Sequence, residues 1–187
     1  MKSANQTEIQ KSFTQQAKNF ESGKMNFSKK EHLNHTVSKI APAGTDNVLE
    51  VAAGTCACGR AVARNARSVT CLDMTPAMLE VGRTEAEKES LHNMHFVLGD
   101  AAELPFLDNS FDIVLSRLAF HHFPNTDRPF AEMARVLKPV GKLVMIDMEA
   151  AEADSPCDPE ESGWIGHCPP KSSDFGGFCS IISAAKK

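Results

Sequence analysis

Residues 47–66 read NVLEVAAGTCACGRAVARNA. Asn47 to Ala53 is a short apolar run that ends in small residues, the signature of a strand buried on both faces. Gly54 turns the chain, and Gly59 to Ala66 resumes as a helix rich in small and basic residues. A small-residue turn lets the backbone come close to a ligand. The helix after it aims free N–H groups at the same place.

The same alternation continues downstream. Ser68 to Asp73 (SVTCLD) is a second strand. Pro76 to Ser90 is a helix, with Pro76 suited to the first turn and Thr75 to the cap. His95 to Leu98 and Phe111 to Ser116 (FDIVLS) are the third and fourth strands. Asp127 to Leu137 is a helix ended by Pro139 and Gly141, and Lys142 to Asp147 (KLVMID) is the fifth strand. Short buried strands alternating with helices predict a doubly wound, mostly parallel α/β sheet, with its ligand at the carboxyl ends of the strands.

Upstream, two helices form an amino-terminal cap. Thr7 to Phe20 carries Phe13, Ala17 and Phe20 at helical spacing, with Thr7 as cap, Gln10 at the capping-box partner position and Gly23 beyond the end. Lys29 to Ile40 is closed by Pro42 and Gly44. From Glu149 the sequence turns to Pro, Gly, Ser and acid, and only Phe178 to Ile182 suits a short strand. The expected organisation is a domain over 1–150 (cap 1–44, core 45–150) and a poorly ordered tail over 151–187 that does not complete the sheet. Strand five would then be an exposed edge, managed by self-association into a homo-oligomer or by marginal stability.

The chain has 187 residues, 42% hydrophobic and 24% charged, with a formal net charge of −4. That charge argues against a nucleic-acid partner, which needs a basic patch. No apolar run reaches the roughly 20 residues of a membrane span, and the first residues suit neither a secretory signal nor a transit peptide. A cytoplasmic protein is expected. The six cysteines at 56, 58, 71, 157, 168 and 179 lack the close pairing of a zinc site, so no metal is expected and free thiols are.

Four turns carry the chemistry. The first is Glu50 to Cys56. The second is Asp73, where a carboxylate at a strand end can accept both hydroxyls of a ribose. The third is Gly99-Asp100-Ala101, where a carboxylate beside a backbone N–H can read an adenine edge. The fourth is Ser116 to Pro124 (SRLAFHHFP), which places His121 and His122 over the same crevice. Either is a candidate to accept a proton or orient a substrate oxygen, although one packed and one solvated histidine is the plainer expectation.

VLEVAAGT, CLDMTPAMLEVGR, GDAAELPF, FDIVLSRLAFHHF and RVLKPVGKLVMID resemble, in order and spacing over about residues 8–150, the class I S-adenosylmethionine-dependent methyltransferases. The small-molecule group that includes the ubiquinone and menaquinone C-methyltransferases is the most similar. The resemblance implies methyl transfer to a small-molecule acceptor. It implies that Ala52 and Gly54 line the methionine half of the cofactor and that Glu50 holds its amino group. Asp73 would bind the ribose, Met74 would pack on the adenine, and Asp100 and Ala101 would read the adenine edge. Backbone groups of Ser116 and Arg117 would close over the methionine end, with the Phe13–Phe20 helix as a lid. The family has Gly where this chain has Ala52, Cys56 and Val140, and the Cys56 thiol is expected to narrow the cofactor's approach. Its sheet continues with two further strands that residues 151–187 are not expected to supply. A truncated, non-catalytic binding protein is one rival reading. An NAD-dependent oxidoreductase is the other, since Gly54-x-Cys56-x-x-Gly59 is one Gly short of the dinucleotide fingerprint; the chain has no Tyr.

Overall fold

The computed structural model describes residues 4–17, 20–21, 30–148, 164–167 and 179–186. Helices α1 (Ala4–Gln16) and α2 (Lys30–Ile40) precede β1 (Asn47–Val51), α3 (Ala57–Ala63), β2 (Ser68–Asp73), α4 (Pro76–Lys88), β3 (Met94–Leu98), β4 (Phe111–Arg117), α5 (Asp127–Val136), β5 (Leu137–Met148), β6 (Trp164–His167) and β7 (Cys179–Lys186). The strands form one sheet in the order β3-β2-β1-β4-β5-β7-β6. β1 to β5 pair in parallel, and β7 runs antiparallel to both neighbours. The order reverses between β1 and β4, so a crevice opens at their carboxyl ends.

Alternate residues of the central strands feed opposite faces. Leu49, Val51, Leu72 and Val114 pack with Met133, Val136 and Leu137 on one side. Val48, Val69, Ile113 and Leu115 pack with Ile40 and Val62 on the other. Each such side chain, removed from water, contributes about 1.5–3 kcal/mol. Covering both faces is what makes the apolar runs of β1 and β4 nearly continuous. Among the described residues, no helix is long and apolar enough to cross a membrane.

Three local expectations change. α1 begins at Ala4, so Thr7 is not its cap, and Gln10 is used elsewhere; Gly23 lies outside the described residues. Thr75 sits at the start of α4 but makes no side-chain cap bond. β5 starts at Leu137 rather than Lys142: Leu137 pairs with Phe111, Lys142 pairs with Ile113, and the shift absorbs the residues between. Val140, where the family has Gly, sits in that stretch at φ 58 and is 87% exposed. A left-handed β-branched residue costs about 1–2 kcal/mol.

The larger correction is at the carboxyl end. β7 pairs with β5 from Lys142↔Ala185 to Met148↔Cys179, and β6 pairs with β7 from Trp164↔Lys186 to His167↔Ser183. Composition over 155–177 misled because a strand needs only a short extended run with backbone donors. CSIISAAK has neither Pro nor Gly, and its two Ile favour extension. β5 is interior to the sheet, which removes the reason for expecting self-association. The poor order expected for the rest of 151–187 falls outside the described residues.

Candidate functional site

The turn after β1 zigzags through three left-handed residues: Ala52 at φ 54, Gly54 at φ 54 and Cys56 at φ 59. Gly accepts this freely, whereas Ala and Cys each lose about 1–2 kcal/mol. Neighbouring groups hold the strained turn. Ala53 N–H donates to Leu72 O at 3.0 Å, and Cys56 N–H to Ala53 O at 2.8 Å. Gly54 N–H donates to Asp73 Oδ2 at 2.8 Å. The expectation that Cys56 narrows the approach is wrong. Its side chain is fully buried and packs toward α4, where a Cβ on Gly82 would come within 2.8 Å of its Sγ.

Glu50 is buried, only 3% exposed. Gly59 N–H donates to its Oε2 at 2.8 Å, and the Cys71 thiol donates at 3.5 Å. A Cβ on Gly59 would lie 2.6 Å from that carboxylate oxygen, so only Gly lets the carboxylate reach the start of α3. Burial pushes the Glu50 carboxyl up to about 7, against the pull of the Gly59 N–H, Cys71 and the charges of Arg117 and Arg60.

Asp73 ties two turns together. Its Oδ2 accepts from Gly54 N–H and its Oδ1 from Thr75 N–H, both at 2.8 Å. Burial raises its carboxyl above the usual range, opposed by those backbone donors. The Thr75 hydroxyl and the Met74 backbone also hydrogen-bond to it and favour its charged form.

These groups share a cavity of about 230 Å³ at the carboxyl ends of the strands. Glu50, Ala52 and Gly54 enter it from the first turn, Asp73 and Met74 from the second, and Asp100 and Ala101 from the third. Arg117, His121 and His122 enter from the fourth. Ser116 does not: its hydroxyl is buried and donates to Val51 O at 2.9 Å. Sequence reasoning missed Cys58, which is on the wall, and gave Arg117 a backbone role only. Arg117 lines the cavity, and its side-chain Nε is buried without a hydrogen-bond partner among the described residues.

Phe13 and Phe20 close one side, their rings 6.0 Å apart. Gln10 Nε2 donates to Met74 O at 2.6 Å, tying α1 to the second turn. Glu21 pairs with the buried Arg60 at 2.9 Å, and Arg60 also donates to Thr55 O at 2.9 Å. In the fourth turn, Phe120–His122 form a single 3-10 turn. His121 Nδ1 lies 2.6 Å from Asp147 Oδ1, and Asp147 Oδ2 accepts from the backbone N–H groups of Phe120 and His121 at 2.7 and 3.2 Å. The His121 and His122 rings lie 3.9 Å apart, and His122 meets Phe13 edge-on at 5.1 Å. Both residues line the cavity and both are exposed, rather than one being packed and one solvated.

The model of the methyltransferase domain family matches residues 49–145, just over half of the chain. The chain belongs to the class I S-adenosylmethionine-dependent methyltransferases. It is 31% identical over 141 residues to the uncharacterized methyltransferase YcgJ of Bacillus subtilis, covering 75% of this chain and 54% of that protein. It is 41% identical over 104 residues to a demethylmenaquinone methyltransferase of Listeria welshimeri, covering 54% and 44%. The chain thus spans about half the length of the curated relatives it matches. The crystal structure of YcgJ superposes with a TM-score of 0.73 at 19% identity, covering 85% of this chain and 99% of that one. A methyltransferase from Aquifex aeolicus gives 0.69 at 19%, covering 83% and 89%. At these identities the two structures speak for the fold.

Membership in this methyltransferase family decides between the two cofactors considered, in favour of S-adenosylmethionine over a nicotinamide dinucleotide. It also gives the backbone strain a meaning. The methyltransferase positions expected to carry Gly, at Ala52, Cys56 and Val140, are all left-handed here. The chain has kept the backbone path and replaced the residue that makes it free.

Proposed function

We propose that this chain transfers a methyl group from S-adenosylmethionine to a small-molecule acceptor. The observation that carries this reading is that a buried carboxylate, Glu50, and Arg117, whose buried Nε has no hydrogen-bond partner among the described residues, line the same cavity. Groups of opposite charge in one cavity fit a zwitterionic amino-acid group. Glu50 takes its ammonium and Arg117 its carboxylate. Asp73 accepts from the ribose hydroxyls, Met74 packs on the adenine, and Asp100 with Ala101 reads the adenine edge. Ala52 and Gly54 let the backbone lie against the methionine end. When bound, the cofactor supplies a methyl group made electrophilic by a sulfonium.

The chain's part is alignment and exclusion of water. α1 serves as the lid, held by Gln10 at Met74 and assisted by Glu21 at Arg60. A small acceptor suits a cavity of this size, and one relative is named for a quinone substrate. The net charge of −4 supports no nucleic-acid partner. The buried free thiols of Cys56, Cys58 and Cys71 suit a reducing, cytoplasmic setting.

Calorimetry with two ligands tests this. Arg117→Ala is expected to weaken S-adenosylhomocysteine about 10- to 150-fold, the worth of a hydrogen bond to a charged group. It should leave 5′-methylthioadenosine, which lacks the amino-acid end, within about twofold. Equal losses for both ligands would place Arg117 elsewhere, and no binding of either by the unaltered chain would remove the reading.

A further inference from the structure

We propose that Arg135, paired with Glu132, holds the turn at Asp100 and Ala101 in place from outside the cavity and so sets the chain's preference for adenine. Arg135 is a positioning residue, and its role rests on the methyltransferase reading above.

The third turn has a weakness that the others lack. Helices join β1 to β2, β2 to β3 and β4 to β5, but β3 runs to β4 through residues 99–110 without one. A helix satisfies most of its own backbone N–H and C=O groups, whereas an irregular connection has to find partners elsewhere. α5 supplies them. Arginine carries five N–H donors in a rigid fork, and Arg135 uses every one. Its Nη2 donates to Leu104 O at 3.0 Å and its Nη1 to Phe106 O at 2.9 Å. Nη1 also donates to Asp108 Oδ1 at 2.7 Å. Nε and Nη2 donate to the two carboxylate oxygens of Glu132, each at 2.8 Å. Glu132 completes the clamp, because its Oε2 accepts from Leu104 N–H at 2.7 Å. The backbone N–H groups of Asn109 and Ser110 add bonds to the carbonyls of Arg135 and Val136, at 3.1 and 2.8 Å.

The clamp reaches the adenine edge along a short stretch of chain. Leu104 is gripped at both its N–H and its C=O, and its side chain is buried in one cluster with Ala101, Met133 and Val136. Glu103 N–H donates to Asp100 O at 3.1 Å, and Ala102 N–H donates to Asp100 Oδ1 at 2.9 Å. Asp100 and Ala101 line the cavity, while Arg135 and Glu132 do not. A shift of Leu104 therefore moves the carboxylate and the backbone that read the adenine edge.

Geometry carries the effect more than charge does. A lysine at this position keeps the charge but loses the planar fork that reaches two carbonyls and a carboxylate at once.

Calorimetry on the full chain tests the clamp with two ligands. One is S-adenosylhomocysteine. The other is S-inosylhomocysteine, in which an oxygen replaces the adenine amino group. The unaltered chain should favour the adenine ligand about 10- to 150-fold, the worth of a hydrogen bond to a charged group. Arg135→Ala should weaken S-adenosylhomocysteine about tenfold or more and leave S-inosylhomocysteine within about twofold, because only the adenine ligand has that bond to lose. Arg135→Lys should lose most of the preference as well. Asp108→Asn alters only the contact to an exposed side chain and should keep it. Urea denaturation reads the fold of each variant, and Arg135→Lys decides the matter if Arg135→Ala does not fold. A folded Arg135 variant that is less stable yet keeps the full preference overturns the proposal. So does an unaltered chain that binds both ligands equally. No binding of S-adenosylhomocysteine by the unaltered chain would instead remove the methyltransferase reading.

Discussion

Glu50→Gln is expected to stabilise the fold by about 2–3 kcal/mol at pH 8 and to weaken S-adenosylhomocysteine at the same time. Burial raises the Glu50 carboxyl from 4.5 to about 7. Between those values the unfolded chain has released the proton while the folded chain keeps it. Folding therefore takes up a proton, and stability falls as pH rises from about 4.5 through about 7, levelling above that. An amide of the same shape avoids the cost of burying a charge and can still accept from Gly59 N–H. The slope over that window should vanish in the variant. Urea titrations from pH 5 to pH 8.5 read it directly. The loss of affinity comes from the missing partner of the cofactor's ammonium, so binding by the unaltered chain should tighten as pH rises through about 7 and binding by the variant should not. A variant no more stable at pH 8 would mean that Glu50 is not held in a buried, proton-retaining state.

Asp73→Ala should damage both the fold and the site. Asp73 is 8% exposed, and its two oxygens satisfy Gly54 N–H and Thr75 N–H. Removing it strands two donors, at about 1–3 kcal/mol each. The strained turn through Ala52, Gly54 and Cys56 also loses a tether. Stability is expected to fall by about 2–4 kcal/mol. Cofactor affinity should fall about 30- to 1000-fold, since two charge-assisted bonds to one ribose are lost. Asp73→Asn should be milder for the fold, because burial already disfavours the charge. Urea denaturation and calorimetry on both variants separate the two effects. Unchanged affinity in a folded Asp73→Ala chain would make Asp73 a tie between turns and nothing more.

The parallel sheet was legible because its strands are apolar runs between punctuating turns. Ser68–Asp73 has the same bounds in sequence and structure, since Gly-free β-branched residues end at an acid. The cavity was legible in outline because carboxyl ends of parallel strands converge wherever strand order reverses. What was not legible depends on direction and on distant pairing. A left-handed backbone turned the Cys56 thiol into the core, and no linear reading gives that direction. Asp147 looked like the last residue of a strand. Only the pairing of β4 with β5 brings it to His121, 26 residues away. A short strand near Phe178 to Ile182 was legible, but its pairing with β5 was not, because it follows a segment rich in Pro and Gly. The Arg117 side chain escaped notice because its importance lies in what it lacks among the described residues, a partner for a buried donor.

Calorimetric titration of the unaltered full chain with S-adenosylhomocysteine, and separately with NAD, tests the cofactor assignment most directly. One equivalent of S-adenosylhomocysteine should bind, and NAD should give no heat of binding. Heat from NAD with none from S-adenosylhomocysteine would contradict it.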